Sequence, residues 1–222
     1  MKIDFQTSRA FSLIESLTVM GILAILATLL LAALVKAKGD SKRTACMSNV
    51  KQLTLGMLAF AHDNDETLPS TNDVQAVYWQ FMGAHVDLTR PLWDTDAKLF
   101  HCPAGTRRMR VNSSPWWTNS YDFNGWNKAA GMSGNSPSIA GKTISSIKSV
   151  DKAVLIAEHT AFVAQSWHPA RSDSHINALN VVGFLDGHVS WVKIYWNGKA
   201  GIANYPFNYD PPPSYQYSWS GN

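Results

Sequence analysis

The sequence predicts an α+β protein: a long N-terminal helix whose first half is apolar enough to cross a membrane, then a domain containing antiparallel β-strands. Three observations predict it. Residues Ser16 to Val35 carry no charge; apolar residues then recur with helical spacing as far as Ala61; and two β-rich runs near the C-terminus flank Asp186-Gly187. With 222 residues, the part after the membrane segment is large enough for its own core.

The first ten residues form a short polar leader with Lys2 and Arg9, outside the domain. The uncharged run that follows spans roughly 30 Å as a helix, the thickness of a hydrocarbon core, where only a helix satisfies its own backbone. A cleaved secretory signal is the alternative, but its apolar core is usually about 7–15 residues long. The single ionisable group at the mouth of this run is Glu15. Ser12-Leu13-Ile14-Glu15 reads as a capping box, and a carboxylate is favoured at the positive end of a helix dipole. A charge at the edge of a spanning helix is equally a functional suspect.

Ala10-Phe11-Ser12-Leu13-Ile14-Glu15, behind the polar leader, resembles the prepilin processing site of type IV pilins and type II secretion pseudopilins. Ala10 stands where the family more often has Gly. The resemblance implies that a prepilin peptidase cuts between Ala10 and Phe11 and methylates the Phe11 amine. It implies that Glu15 pairs with the N-terminal amine of a neighbouring subunit during filament assembly. It also implies a type IV pilin-like fold, in which the second half of the helix packs on an antiparallel sheet.

After the membrane run, Ala45, Val50, Leu53, Met57, Leu58 and Ala61 mark one face of a helix, while Lys42, Arg43, Ser48, Lys51 and Gln52 lie mostly elsewhere. Asp63-Asn64-Asp65 and Pro69 are stop and turn residues, so the helix should end near residues 62–65. The expected organisation is leader 1–10, transmembrane helix 11–35, amphipathic continuation 36–65, globular domain 66–209 and tail 210–222. Counting Lys and Arg alone, the flank after the helix is the more basic, which would hold the domain in the cytoplasm. The processing-site resemblance implies the opposite, a single-pass inner-membrane protein with an extracytoplasmic domain.

Lys42-Arg43-Thr44-Ala45-Cys46-Met47-Ser48-Asn49-Val50-Lys51-Gln52 is similar to a bacterial pseudopilin-like family in which Arg-x-x-Cys-x-x-Asn-hydrophobic-Lys-Gln follows the membrane helix. This motif carries no catalytic chemistry, and its expected role is to pack the helix onto the domain. Phe100-His101-Cys102-Pro103 and Tyr121-Asp122-Phe123-Asn124 resemble a turn and a loop of the same family. The two cysteines, Cys46 and Cys102, suit one disulfide in an oxidising compartment, or else two unrelated buried thiols. A bridge would contribute about 4 kcal/mol in the chain-entropy description.

Residues 77–82 read as a short helix or strand, and 131–141, rich in Gly, Ser, Asn and Pro, as a surface loop. Ala153 to Glu158 is an apolar run expected to form a buried strand, and 179–185 with 188–194 a hairpin turning at Asp186-Gly187. His175 and Asp186-Gly187 resemble the family's His-x(9)-Asp-Gly signature, although here ten residues intervene. The tail, led by Pro211-Pro212-Pro213, is expected to be extended, its Tyr and Trp packing on the domain or on a neighbour.

Nine Trp favour a packed or interacting surface over disorder, and a net charge of +3 without a basic patch argues against nucleic acid as a partner. The residue types of a metal site are present in Glu158, His159, His168, Asp173, His175, Asp186 and His188, but none has ligand spacing. Calcium enters only because some major pseudopilins carry a calcium-binding loop, and no motif maps one here. No nucleophile elbow, phosphate loop or His-Glu-x-x-His occurs, so an enzyme is not expected. The expected function is a structural pseudopilin or pilin subunit, partnered by prepilin peptidase and other filament subunits. The alternative is a membrane-anchored domain that binds a ligand or metal.

Overall fold

The computed structural model describes residues 12–70, 98–105, 120–125, 137–162, 166, 168, 178–199 and 205–222. The chain divides into two compact units, Met1–Ser41 and Lys42–Asn222. Helix α1, Leu13–Asp63, supplies the described part of the first unit and the opening of the second.

Within the first unit α1 is apolar all round, and its large side chains from Leu13 to Val35 are 48% to 81% exposed. It is the one helix among the described residues long and apolar enough to cross a membrane. Such a surface is unfavourable in water at roughly 25 cal/mol per Å².

In the second unit the helix becomes amphipathic, burying Cys46, Val50, Leu53, Met57 and Ala61. These residues are spaced four, three, four and four apart, the interval that keeps side chains on one helical face. The helix ends at Asp63. Asn64 donates from its side chain to the Phe60 carbonyl, and Asp65 and Glu66 turn the chain in the left-handed region.

Four strands make an antiparallel sheet in sequence order: β1 Tyr121–Phe123, β2 Val154–Glu158, β3 Leu179–Phe184 and β4 Val189–Lys193. β2 is buried along its whole length, as its continuous apolar run requires. One side of the sheet shares a core with α1 through Phe123, Leu155, Ile156 and Val181; the other gathers Val154, Ala157, Val182, Phe184 and Val192 around Trp219. Gly183 lies where α1 passes over β3: a Cβ there would overlap Thr54 Oγ1 and stand 3.1 Å from Val50 Cγ1.

The register of β2 on β3 slips between Val154 and Ile156, leaving Leu155 as an extra residue. That bulge reverses the alternation of faces, so Leu155 and Ile156 both join the helix side. Two residues beyond Ile156, Glu158 is therefore also brought to the α1 side.

Several expectations are corrected. The Tyr121-to-Asn124 segment is not simply a loop, because its first three residues pair with β2. The last part of the expected 131–141 surface loop is inside: Ser138 and Ile139 are buried. The β3–β4 turn is longer than two residues. Gly187 N–H donates to the Phe184 carbonyl and Phe184 N–H to that of His188, with positive φ at Gly187 but not at Asp186. This is a three-residue loop closed by a glycine bulge rather than a mirror-image two-residue turn. The segment 77–82 lies outside the described residues.

Of the two alternatives for the tail's Tyr and Trp, the structure shows packing on the domain, and the tail goes further by joining the core. Tyr217, Ser218 and Trp219 are buried, and Ser218 forms a bridge with Ala153 beside β2. Asp210 Oδ1 accepts from the Trp219 and Ser220 amides, and Asn124 Nδ2 donates to both the Val154 and Trp219 carbonyls. Proline stiffens the approach, but the aromatic side chains beyond it bury enough apolar surface to close the second core.

Candidate functional site

Ionisable groups are held in two distinctive arrangements, one in each unit. In the first, α1 starts as a capped helix. Glu15 Oε2 accepts from the Ser12 amide at 2.9 Å, and Ser16 N–H donates to the Ser12 carbonyl at 3.2 Å. Glu15 is exposed, and it is the only acidic side chain in the first turn of α1. The cap occupies one oxygen directly, and a carboxylate has lone pairs for further donors. Ala10 and Phe11 lie outside the described residues.

In the second unit the motif after the apolar run acts as a set of ties. Arg43 places its guanidinium 5.7 Å from the Trp191 ring centre on β4. Asn49 Nδ2 has the Lys98 and His101 carbonyls and the Tyr121 hydroxyl within 3.4 Å, and Lys51 Nζ donates to the Gly187 carbonyl at 2.7 Å. Cys46 and Cys102 are joined as a disulfide with Cα atoms 5.2 Å apart. The spacing of Arg43, Cys46 and Asn49, three residues each, stacks them along one side of the helix.

Beneath that disulfide sits a buried polar group. Glu158, fully buried, accepts from His168 Nε2 at 2.9 Å through Oε1 and from the Val181 amide at 3.0 Å through Oε2. His168 Nε2 is also 3.6 Å from Cys102 Sγ. The His168 ring meets Trp191 edge to face, with centres 4.5 Å apart. Its backbone is held by Ser166, whose hydroxyl accepts from the His168 amide and reaches the Leu179 carbonyl at the start of β3. Donor atoms of Cys46, Cys102, Glu158 and His168 all lie within 4.8 Å of one another.

The remaining imidazoles form separate pairs. His159 Nδ1 is 2.5 Å from Asp122 Oδ2 on β1, and both are buried. Burial, the largest influence, pushes the His159 pKa down, but the charge and hydrogen bond of Asp122 together outweigh it and raise the pKa overall. His188 Nδ1 meets Asp186 Oδ1 at 2.6 Å on the surface, with its ring stacked on Phe184. Asp173 and His175 lie outside the described residues.

Of the polar residues flagged in the sequence, the fold therefore joins Glu158 to His168 and keeps His159, Asp186 and His188 in other pairs. Asp122 and the sulfurs were not foreseen as neighbours of these groups. The cysteines, acid and imidazole are scattered over more than a hundred residues, and no local spacing relates them. Two sulfurs and an imidazole are unlike the oxygen-rich shell of calcium. Compared with protein-family models, with curated proteins and with solved structures, the chain matches none.

Proposed function

We propose that this chain is a structural subunit of a type II secretion-like or type IV pilus-like filament, a pseudopilin in the broad sense. The observation that carries the proposal is the start of α1: a long, exposed, apolar helix whose first turn holds one carboxylate, Glu15, the last residue of a processing-site-like sequence. In this reading a prepilin peptidase cuts before Phe11 and methylates the new amine. The helix then anchors the chain in the inner membrane with its domain on the extracytoplasmic side.

Assembly follows from the same physical features. The apolar helices leave the bilayer by packing against those of neighbouring subunits, which keeps their surface out of water. A carboxylate and an ammonium in that low-dielectric bundle each require a partner, so the Glu15 carboxylate and a neighbour's Phe11 amine favour one axial stagger. The role is structural, and the domain forms the outer surface.

Intact mass and N-terminal sequencing of the membrane-extracted protein test this reading. A chain beginning at methylated Phe11 supports it, and a chain still beginning at Met1 refutes it. Glu15→Leu then separates a filament subunit from an anchored binding domain. Assembly should fail in the first case, whereas an anchor, needing only hydrophobicity, should be indifferent.

A further inference from the structure

We propose that, in the reduced chain, Cys46, Cys102, His168 and Glu158 bind one divalent cation of the zinc class, and that the disulfide is the metal-free state of the same site. The inference stands apart from the filament reading, since it concerns the core of the second unit alone.

Donor chemistry selects the cation. Two thiolates, one imidazole nitrogen and one carboxylate oxygen form a four-ligand set for a borderline-soft tetrahedral ion, not for calcium or magnesium. Geometry agrees with it. With zinc–sulfur and zinc–nitrogen bonds of about 2.3 and 2.05 Å, the sulfur–nitrogen edge of a tetrahedron is about 3.6 Å. Cys102 Sγ and His168 Nε2 are 3.6 Å apart. The nitrogen–oxygen edge would be about 3.3 Å, a slight opening of the 2.9 Å now separating His168 Nε2 from Glu158 Oε1. Once the disulfide is reduced, the sulfurs need to part to about 3.8 Å, a movement of side chains already pointing at one another.

The surroundings hold the ligands in place. Val181 N–H fixes the far oxygen of Glu158, Trp191 fixes the plane of the imidazole, and Ser166 ties the backbone of His168 to β3. All four ligands are buried. A buried acid–imidazole pair adds little stability that an apolar pair would not, so its placement against two sulfurs asks for another reason. The β2 bulge supplies the means, because it brings Glu158 to the side of the sheet where Cys46 lies.

The exchange between states balances. A thiol or phosphine reductant gives two electrons, the sulfur–sulfur bond breaks, and two protons complete the thiols. Cation binding releases those two protons as the thiolates coordinate. In the reverse direction a disulfide-class oxidant removes two electrons from the thiolates, their bond re-forms and the cation leaves.

The test uses the full chain in detergent micelles, reduced with a phosphine and titrated with cobalt(II), then zinc(II). The proposal expects one cobalt per chain, with sulfur-to-metal charge-transfer absorption and the intense visible bands of tetrahedral cobalt. One equivalent of zinc should displace it, and the oxidised chain should show neither signal. His168→Ala and Glu158→Gln should each weaken cobalt binding about tenfold or more, while their oxidised forms retain the wild-type near-ultraviolet dichroism. The proposal is overturned if the reduced, folded chain takes up no cobalt or if both variants bind it as tightly as wild type. It is also overturned if the reduced chain stays unfolded with metal present.

Discussion

Gly183→Ala would test the packing of α1 on the sheet at a single methyl group. The added carbon overlaps Thr54 Oγ1 and comes within 3.1 Å of Val50 Cγ1. Thr54 is fully buried, and its hydroxyl donates to the Val50 carbonyl at 2.7 Å, so it yields only by giving up that bond. Overpacking of a tight core site costs about 1–3 kcal/mol, and the lost hydrogen bond about 1 kcal/mol more. A destabilisation of about 3 kcal/mol is therefore expected, which lowers Tm by roughly 6–12 °C in a domain of this size. Thr54→Ala alone should cost about 1 kcal/mol while making room for the methyl. In the double variant the two effects should fall short of additivity by about 2 kcal/mol. Urea unfolding of the full chain in detergent micelles, followed by tryptophan fluorescence, measures all four corners of the cycle. A Gly183→Ala variant within about 0.5 kcal/mol of wild type, or a strictly additive pair, would refute the close passage of α1 over β3.

Three further outcomes are expected. His159 has a raised folded-state pKa, so its pairing with Asp122 stabilises the fold fully below the ordinary imidazole pKa of about 6.5 and loses that contribution as pH rises through the raised value. Asp122→Asn should reverse this slope, because burial alone pushes the imidazole pKa down; melting curves between mildly acidic and mildly alkaline pH read the sign. Trp219→Ala should destabilise by about 3–5 kcal/mol, since the ring is fully buried against Phe162 and Tyr217; denaturant titration checks it, and a loss below about 1 kcal/mol would argue for a loosely attached tail. Reducing the disulfide with a chelator present should lower stability by about 4 kcal/mol, given the 56-residue separation it closes. Cys102→Ser should match that loss in the same urea titration, without responding to reductant.

The parts of the fold legible in the sequence were those written in neighbouring residues. α1 declares itself by an uncharged run and then by a repeat at helical spacing, and it stops at Asp63 among the Asp and Asn residues that signal an end. β2, β3 and β4 are short β-rich segments whose character is local. β1 is only three residues long and sits among turn formers, so its identity as a strand comes from pairing with β2. The tail misleads for a related reason, because its prolines describe the local backbone and not the pocket that receives Trp219. The buried cluster was legible only in its ingredients. Cys46 comes from the helix, Cys102 from a turn, Glu158 from the end of β2 and His168 from the segment before β3, and long-range topology brings them together. Leu155 hides the link most thoroughly, since nothing in an apolar run announces which residue will bulge.

The burial of Trp219 also orders events in time. A ribosome releases α1 when most of the domain is still unmade, but the second core lacks its central side chain until synthesis has passed residue 219. Val154, Phe162 and Phe184 share the cluster that Trp219 completes. Trp219 is thus the keystone of the second core, the ring around which side chains from three separate segments of the chain close.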